Sequence, residues 1–400
     1  MNVNQKKREL QLAALDRWRC SDRRGTVNLA TGMGKTFVFL DACNDNPNGE
    51  IKLFLAETAE RELDLRRDIE EYRKLYGIDH SDIVFECYQT AYKWEGKRFG
   101  TVGADEIHFA MTPMYSKFFE NNECMHLIGL SATVDNDTDY GDITKNQLLR
   151  KYAPVCFRYD MNQGIKDGIG RPLNIHVVYH RLDSQAKTIE AGNKDNRFFQ
   201  TEAAAYNYAD RMFRKGIVIR NEFLIKRYMQ LRMRLLHGLP SKVRDVTRLL
   251  SLMKDKRVIL FGNDLHALEK ITPHVVRSAR KGEKKKERDE INRIIRHRFE
   301  TSEINTIGSF IILEQGANLK GADSIIMMSY YSDDGRLLQR IGRLRKDEEK
   351  IGDVIIFVTI GTQEESWFSS MMEGIDKDVV NVMYYHSIDD LSKRILNLKN

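Results

Sequence analysis

The stretch Thr-Val-Asn-Leu-Ala-Thr-Gly-Met-Gly-Lys-Thr (Thr26–Thr36) decides the fold. Thr26–Leu29 reads as a short strand-like run, and Thr36–Cys43 continues as an apolar helix. Between them lie Gly32 and Gly34, followed at once by Lys35 and Thr36. Glycines let backbone N–H groups close around phosphate oxygens, and the start of a helix adds partial positive charge. In such a loop Lys35 contacts the outer phosphates and Thr36 holds Mg²⁺. Leu29 stands where the general pattern has its first glycine.

The same alternation extends in both directions. Residues 5–20 read as a helix, Ile51–Ala56 as a strand, Glu60–Tyr76 as a charged helix, and Ile83–Cys87, Thr101–Ala104 and His126–Leu130 as further apolar runs. Strands alternating with helices imply a parallel sheet covered on both faces. Residues 150–175 look irregular, with turn signals at Asp167, Gly168, Gly170 and Pro172, and Asn174–Arg181 is another strand. Asn196–Met253 is poor in glycine and reads as two or three helices, broken near Lys215–Gly216 and at Gly238–Pro240. Alternation resumes at Arg257–Phe261, Thr306–Ile312, Ser324–Ser329 and Val354–Val358. The expected class is therefore α/β: a first domain over 1–172, a connector strand with a helical accessory segment over 173–255, and a second domain over 256–400.

Bulk properties agree with two globular domains. The chain has 400 residues, 42% of them apolar and 30% charged, with only 6 Pro. A net charge of +6 permits a polyanionic partner without requiring one. The first ten residues are polar and no run of about 18 apolar residues occurs, so neither a signal peptide nor a membrane span is expected. The cysteines (Cys20, Cys43, Cys87, Cys124, Cys156) are scattered without a Cys-x-x-Cys pair. They read as reduced thiols of a cytoplasmic protein.

Asp105 and Glu106 follow an apolar run, and ligands of open α/β sheets gather at such strand ends. Asp105 can reach Mg²⁺, and Glu106 can orient or deprotonate an attacking water. Leu-Ile-Gly-Leu-Ser-Ala-Thr (Leu127–Thr133) ends the next strand, and Gln-Arg-Ile-Gly-Arg (Gln339–Arg343) lies far downstream.

Ala30–Thr36, Asp105–His108, Ser131–Thr133 and Gln339–Arg343, in this order, resemble the motifs of superfamily 2 helicases. The resemblance implies two tandem RecA-like domains, ATP and Mg²⁺ as cofactors, and movement on nucleic acid. It assigns Thr31, Gly32, Met33, Gly34, Lys35 and Thr36 to ATP, and Gln11 to adenine, with Leu10 in place of the usual aromatic before it. It makes Arg343 the arginine that stabilises charge on the transferring phosphoryl group, in a segment with Gln339, Arg340 and Gly342. Lys346 stands at the usual second arginine, with Arg345 one position early. His108, Ser131 and Thr133 become residues coupling hydrolysis to the second domain.

Further segments resemble the family's phosphate-gripping motifs. They give Thr58 and Arg61 (Glu57 replacing the usual Pro), Gln89 and Thr90, Asn263, Ser309, and Gly316 within Glu314–Leu319 as nucleic-acid contacts. Val155–Pro172 and Gly361–Glu365 resemble restriction-enzyme motor subunits and phage branch-migration helicases. The expected partner is DNA ahead of RNA, forked or branched, for a monomer acting with replication or recombination proteins and away from membranes. A double-strand translocase and a nucleic-acid-binding scaffold are the alternatives. Arg277–Arg298 reads as a solvated helical face. The basic residues of 211–248, among them Arg232, Arg234 and Arg244, read equally as an accessory phosphate-facing surface or a connector.

Overall fold

A computed structural model describes residues 3–134, 137–193, 195–310, 321–331, 341, 344 and 351–397. The chain divides into two units, Met1–Arg171 and Pro172–Asn400.

The first unit runs α1 (Val3–Cys20), β1 (Arg24–Leu29), α2 (Lys35–Ala42), β2 (Leu53–Ala56), α3 (Arg61–Tyr76), β3 (Val84–Cys87) and α4 (Tyr88–Ala91). It continues with β4 (Arg98–Asp105), α5 (Lys117–Asn121), β5 (Glu123–Ser131), α6 (Lys145–Tyr152), β6 (Val155–Tyr159) and α7 (Met161–Lys166). The strands form one sheet in the order β3-β2-β4-β5-β1-β6, and all neighbours are parallel. Period-two alternation splits each strand between two cores. Phe54 and Ile128 join Trp18, Val38 and Phe39 on the side of α1 and α2. Leu53, Leu55 and Leu127 join Tyr88, Phe99 and Phe118 on the other side. Residues 155–166, expected to be irregular, supply the edge strand β6 and α7.

The second unit begins with β7 (Leu173–His180), the antiparallel pair β8 (Lys187–Asn193) and β9 (Asn196–Thr201), and the helices α8 (Glu202–Val218), α9 (Glu222–His237) and α10 (Pro240–Leu252). Then follow β10 (Val258–Phe261), α11 (Leu265–Ile271), β11 (Val275–Val276), α12 (Lys285–Glu300), β12 (Thr306–Ser309), β13 (Ser324–Met327), β14 (Gly352–Thr359), α13 (Gln363–Met372), β15 (Asn381–Tyr385) and α14 (Ile388–Asn397). The sheet order is β11-β12-β10-β13-β14-β7-β15, again parallel throughout. Both units have the RecA-like α/β architecture, with helices between strands.

Residues 173–255 belong to this second unit. Strand β7 pairs with β14 over its whole length and with β15 on its other side. Helix α8 runs through Lys215–Gly216 without a break, because Gly216 lies against α9: a Cβ there would meet Ile225 N at 3.0 Å. The chain turns at Ile219–Asn221 instead, where Arg220 is left-handed at φ 53. Sequence reading also overlooked the β8–β9 hairpin and β15.

Helix α10 is anchored by two carboxylates. Glu202 accepts hydrogen bonds from the N–H and Oγ of Ser241 at 2.8 and 2.6 Å. Lys242 donates to both oxygens of Glu364 at 2.8 and 2.9 Å, with side chains 1% and 0% exposed. Glu364, in the Gly-Thr-Gln-Glu-Glu segment, also accepts from Thr359 N at 2.8 Å. Desolvation makes such a pair a weak source of net stability, but removing one partner leaves a buried charge alone. We expect Lys242→Ala to destabilise the second unit by about 3–5 kcal/mol. Lys242→Met combined with Glu364→Gln should recover most of that loss. Urea unfolding followed by hydrogen exchange at α10 measures both.

Candidate functional site

The site is built at the carboxyl edge of the first sheet, where β1, β4 and β5 end side by side. Asn28 is level with Ser131, and Asp105 with Leu130. Leu29 leads into the loop Ala30–Gly34, with Gly32 and Gly34 left-handed at φ 85 and 83. Gly34 is required twice over. Its φ suits glycine, and a Cβ would stand 2.3 Å from Gln11 Nε2. No side chain caps the start of α2, so the dipole there faces the loop. Lys35 and Thr36 open that helix.

Gln11 is buried and donates through Nε2 to Met33 O at 3.0 Å, bracing the loop. Arg8 holds Asp41 of α2 through two bonds of 2.5 and 2.8 Å, and Tyr72 of α3 donates to the same carboxylate at 2.7 Å. This Arg8–Asp41–Tyr72 clamp ties α1, α2 and α3 behind the loop. Sequence reading missed it, because an arginine and an aspartate 33 positions apart carry no local signal.

Two ion pairs fill the front of the site. Lys35 Nζ lies 2.8 Å from Glu106 Oε1, with side chains 13% and 24% exposed. Arg61 Nε lies 2.6 Å from Asp105 Oδ2, with side chains 16% and 7% exposed. Arg61 also reaches Asp64 at 3.4 Å and Thr36 Oγ1 at 3.5 Å. The expected phosphate lysine, metal ligands and water-orienting carboxylate are therefore brought together. Arg61, expected on the nucleic-acid track, sits among them instead. The helix expected over Glu60–Tyr76 does begin at Arg61, but the direction of its guanidinium is set by the contact with Asp105.

Glu106 is left-handed at φ 44, uncommon for a non-glycine residue, and this aims its carboxylate at Lys35. Burial works to raise its pKa, but Lys35, His108 and Arg61 outweigh that and hold it below the usual carboxylate range. His108 Nδ1 is 2.9 Å from Ser131 Oγ and 3.6 Å from Glu106 Oε2, and burial, opposed by Glu106, lowers its pKa. Ser131 Oγ lies within hydrogen-bonding distance of Glu106 Oε2 (3.3 Å) and Thr133 O (2.9 Å), and accepts from Thr133 N at 3.2 Å. Asn28, with its amide nitrogen facing the carbonyls of Ser131 and Ala132 at 3.0 and 3.1 Å, clamps the Ser-Ala-Thr segment. Tyr88 OH donates to Asp105 O at 2.8 Å.

The residues present fit Mg²⁺. Thr36 Oγ1 and the Asp105 carboxylate are hard oxygen donors, and a single cationic group, Arg61, already draws both. Among the described residues no cluster of three His, Cys, Asp or Glu could hold a transition metal, and no helix is long and apolar enough to cross a membrane.

The expected nucleic-acid contacts are divided. Thr58 is half-buried, while Gln89 and Thr90 are exposed on α4, with Gln89 Nε2 donating to Glu57 O at 2.8 Å. In the second unit Ser309 is 0% exposed. The Asn263 carboxamide is buried with no hydrogen-bond partner among the described residues. Gly316, Gln339, Arg340, Gly342 and Arg343 lie outside the described residues, as do Arg345 and Lys346. Arg232 is buried, 3.2 Å from Asp210, so it is not a surface contact; Arg234 and Arg244 are exposed, and Arg244 pairs with Asp183 at 3.1 Å. In the 277–298 segment Arg277 and Arg288 are buried rather than solvated.

Known proteins place the chain. Residues 4–136 match the family model "Type III restriction enzyme, res subunit", and residues 241–348 match "Helicase conserved C-terminal domain". A DNA 3'-5' translocase, XPB2 of Sulfurisphaera tokodaii, is 22% identical over 378 residues, covering 89% of this chain and 82% of the relative. The DNA-bound Type ISP restriction-modification enzyme LlaBIII superposes with a TM-score of 0.56 at 15% identity, over 95% of this chain. That match spans only 31% of the restriction enzyme. Saccharomyces cerevisiae Dbp5 bound to RNA and ADP BeF3 gives 0.56 at 13% identity, over 94% of this chain and 90% of Dbp5. The helicase domain of Pyrococcus furiosus Hef gives 0.50 at 14% identity, over 91% and 98%.

Glu57 is the site's unanticipated acid. Burial, then the charge of Glu106, pushes its pKa up from 4.5 to about 7. Below the unfolded value the group is protonated in both states and costs nothing. As pH rises the unfolded chain ionises first, so the folded unit loses stability until the folded value is passed. We expect Glu57→Gln to melt with the parent at pH 4 and increasingly above it from about pH 5 to pH 8. Paired thermal melts of the full chain across that range measure the difference.

Proposed function

We propose that this chain, which belongs to the superfamily 2 helicases and is an ATP hydrolase, is a DNA-directed motor that opens or branch-migrates forked DNA. The observation that carries the reading is the convergence of Lys35, Thr36, Asp105 and Glu106 beneath one glycine loop. In this reading the loop N–H groups, the α2 terminus and Lys35 bind the phosphates. Thr36 and Asp105 hold Mg²⁺, which when bound neutralises developing phosphate charge. Glu106, released from Lys35, orients the attacking water and accepts its proton, and Ser131 and His108 keep its second oxygen in place. Arg343 supplies the arginine that stabilises the transferring group.

The XPB2 match supports DNA as the track, since that relative is a DNA 3'-5' translocase by name. The exposed Gln89 and Thr90 suit sequence-independent phosphate contact. A phage-type role in replication, recombination or repair rests on the likeness of Val155–Pro172 and Gly361–Glu365. The translocase name equally favours a second reading, movement on duplex DNA without strand separation.

Three substitutions test the chemistry. Lys35→Ala should abolish ATP binding. Glu106→Gln should lower kcat by about 10²–10⁴-fold, since the amide keeps the shape but cannot take a proton. Arg343→Ala should lower kcat by about 10³-fold while leaving ATP affinity within several fold. Full turnover in both Lys35→Ala and Glu106→Gln would refute the site.

Nucleic acid should stimulate hydrolysis, and the stimulation should weaken as salt rises, because phosphate contacts release counterions. Strand displacement on matched forked DNA, four-way DNA and RNA duplexes identifies the track. Faster opening of RNA would refute the DNA assignment, and an ATPase indifferent to all of them would favour the scaffold.

A further inference from the structure

Helices α8 and α9 form an antiparallel hairpin with a rigid end. Tyr208 and Tyr228 meet edge to face with hydroxyls 3.4 Å apart. The Arg232 guanidinium lies 4.4 Å from the Phe213 ring centre and 3.2 Å from Asp210. Gly216 lets the two backbones approach. The turn is closed by Asn221, whose N–H donates to Gly216 O at 2.9 Å and whose side chain accepts from Leu224 N at 3.0 Å.

This rigid turn presents apolar side chains to solvent. Ile217, Val218, Ile219 and Phe223 are 51%, 81%, 52% and 67% exposed. Single exposed apolar residues need no explanation, but four together on one tip mark a contact surface. Arg211, Arg214, Lys215, Arg220, Lys226 and Arg227 on the same two helix ends are all exposed. Arg214 pairs with Asp210 at 2.6 Å and Lys226 with Glu222 at 3.3 Å, so basic side chains outnumber acidic ones six to two.

An apolar point inside a basic collar fits a partner with flat apolar faces flanked by phosphates. The terminal base pair of a DNA fork is such a partner, and apolar wedges that part base steps are a recurrent device. We propose that Ile217–Phe223 is a strand-separating wedge. Phe223 and Val218 abut the terminal pair, while the collar holds the backbones of the two departing strands. This rests on the reading of the chain as a DNA motor, and goes beyond it by naming the part that splits the duplex.

The test uses the full chain with Val218→Ser and Phe223→Ser together, and with Phe223→Trp alone. Three quantities are read: DNA-stimulated ATPase, strand displacement on a fork, and fluorescence of 2-aminopurine placed at the junction. We expect the double serine variant to keep its stimulated ATPase within about twofold, to lose about tenfold or more in displacement, and to lose the junction fluorescence rise. Phe223→Trp should retain all three.

Unchanged displacement in the double variant, with ATPase still stimulated, would overturn the wedge alone. So would a tip that binds phosphatidylserine vesicles and not forked DNA. A parent chain that translocates without opening forks would overturn the wedge together with the fork-opening reading, leaving translocation on duplex DNA. A parent ATPase that no nucleic acid stimulates would overturn the motor reading itself, and the wedge with it.

Discussion

Lys35 and Glu106 hold each other at 2.8 Å, and the organisation of the carboxyl edge of the first sheet depends on that contact. Beside it Arg61 holds Asp105 at 2.6 Å. Four charges are thus neutralised pairwise in a half-buried pocket. Without its partner each of these charges would stand desolvated and alone. On the proposed function, nucleotide binding would be an exchange. Phosphate would draw Lys35 away from Glu106, and Thr36 and Asp105, now drawn by Arg61, would turn to the Mg²⁺ they are proposed to hold. Such an exchange would free Glu106 for water, linking occupancy of the loop to readiness of the base.

The fold supplies both halves of each pair from rigid elements. Lys35 and Arg61 open α2 and α3, while Asp105 ends β4 and Glu106 follows it. The Arg8–Asp41–Tyr72 clamp fixes the helices from behind, and Gln11 fixes the loop from the side. Glu106 gives up ordinary backbone geometry to face Lys35, a local strain of about 1–3 kcal/mol that the surrounding packing must offset. In the second unit the buried Lys242–Glu364 pair has a structural task, locking α10 to α13 beneath the sheet.

The parallel sheets were legible because their strands are short apolar runs at regular intervals, as in Leu53–Ala56 and Val258–Phe261. The positions of the glycine loop between β1 and α2 and of the Asp105–Glu106 pair at the end of β4 were legible because each is a run of residues adjacent in sequence. What escaped depends on tertiary contact. Gly216 reads as a helix breaker, yet it serves a helix–helix approach that only α9 reveals. Strand β7 is held in its sheet by partners nearly two hundred residues downstream. Arg61 lies in a motif resembling a nucleic-acid grip, while its guanidinium turns toward Asp105. Glu57 stood out as a replacement for proline, but its raised pKa comes from burial and from Glu106.

This exchange is tested most directly by nucleotide affinity measured without Mg²⁺, which isolates the Lys35 contact. Binding of a fluorescent ATP analogue is titrated into the parent chain and into Glu106→Gln. With its competitor neutralised, Lys35 has no ion pair to give up, so a lower Kd is expected in the glutamine variant. An unchanged or higher Kd would contradict it.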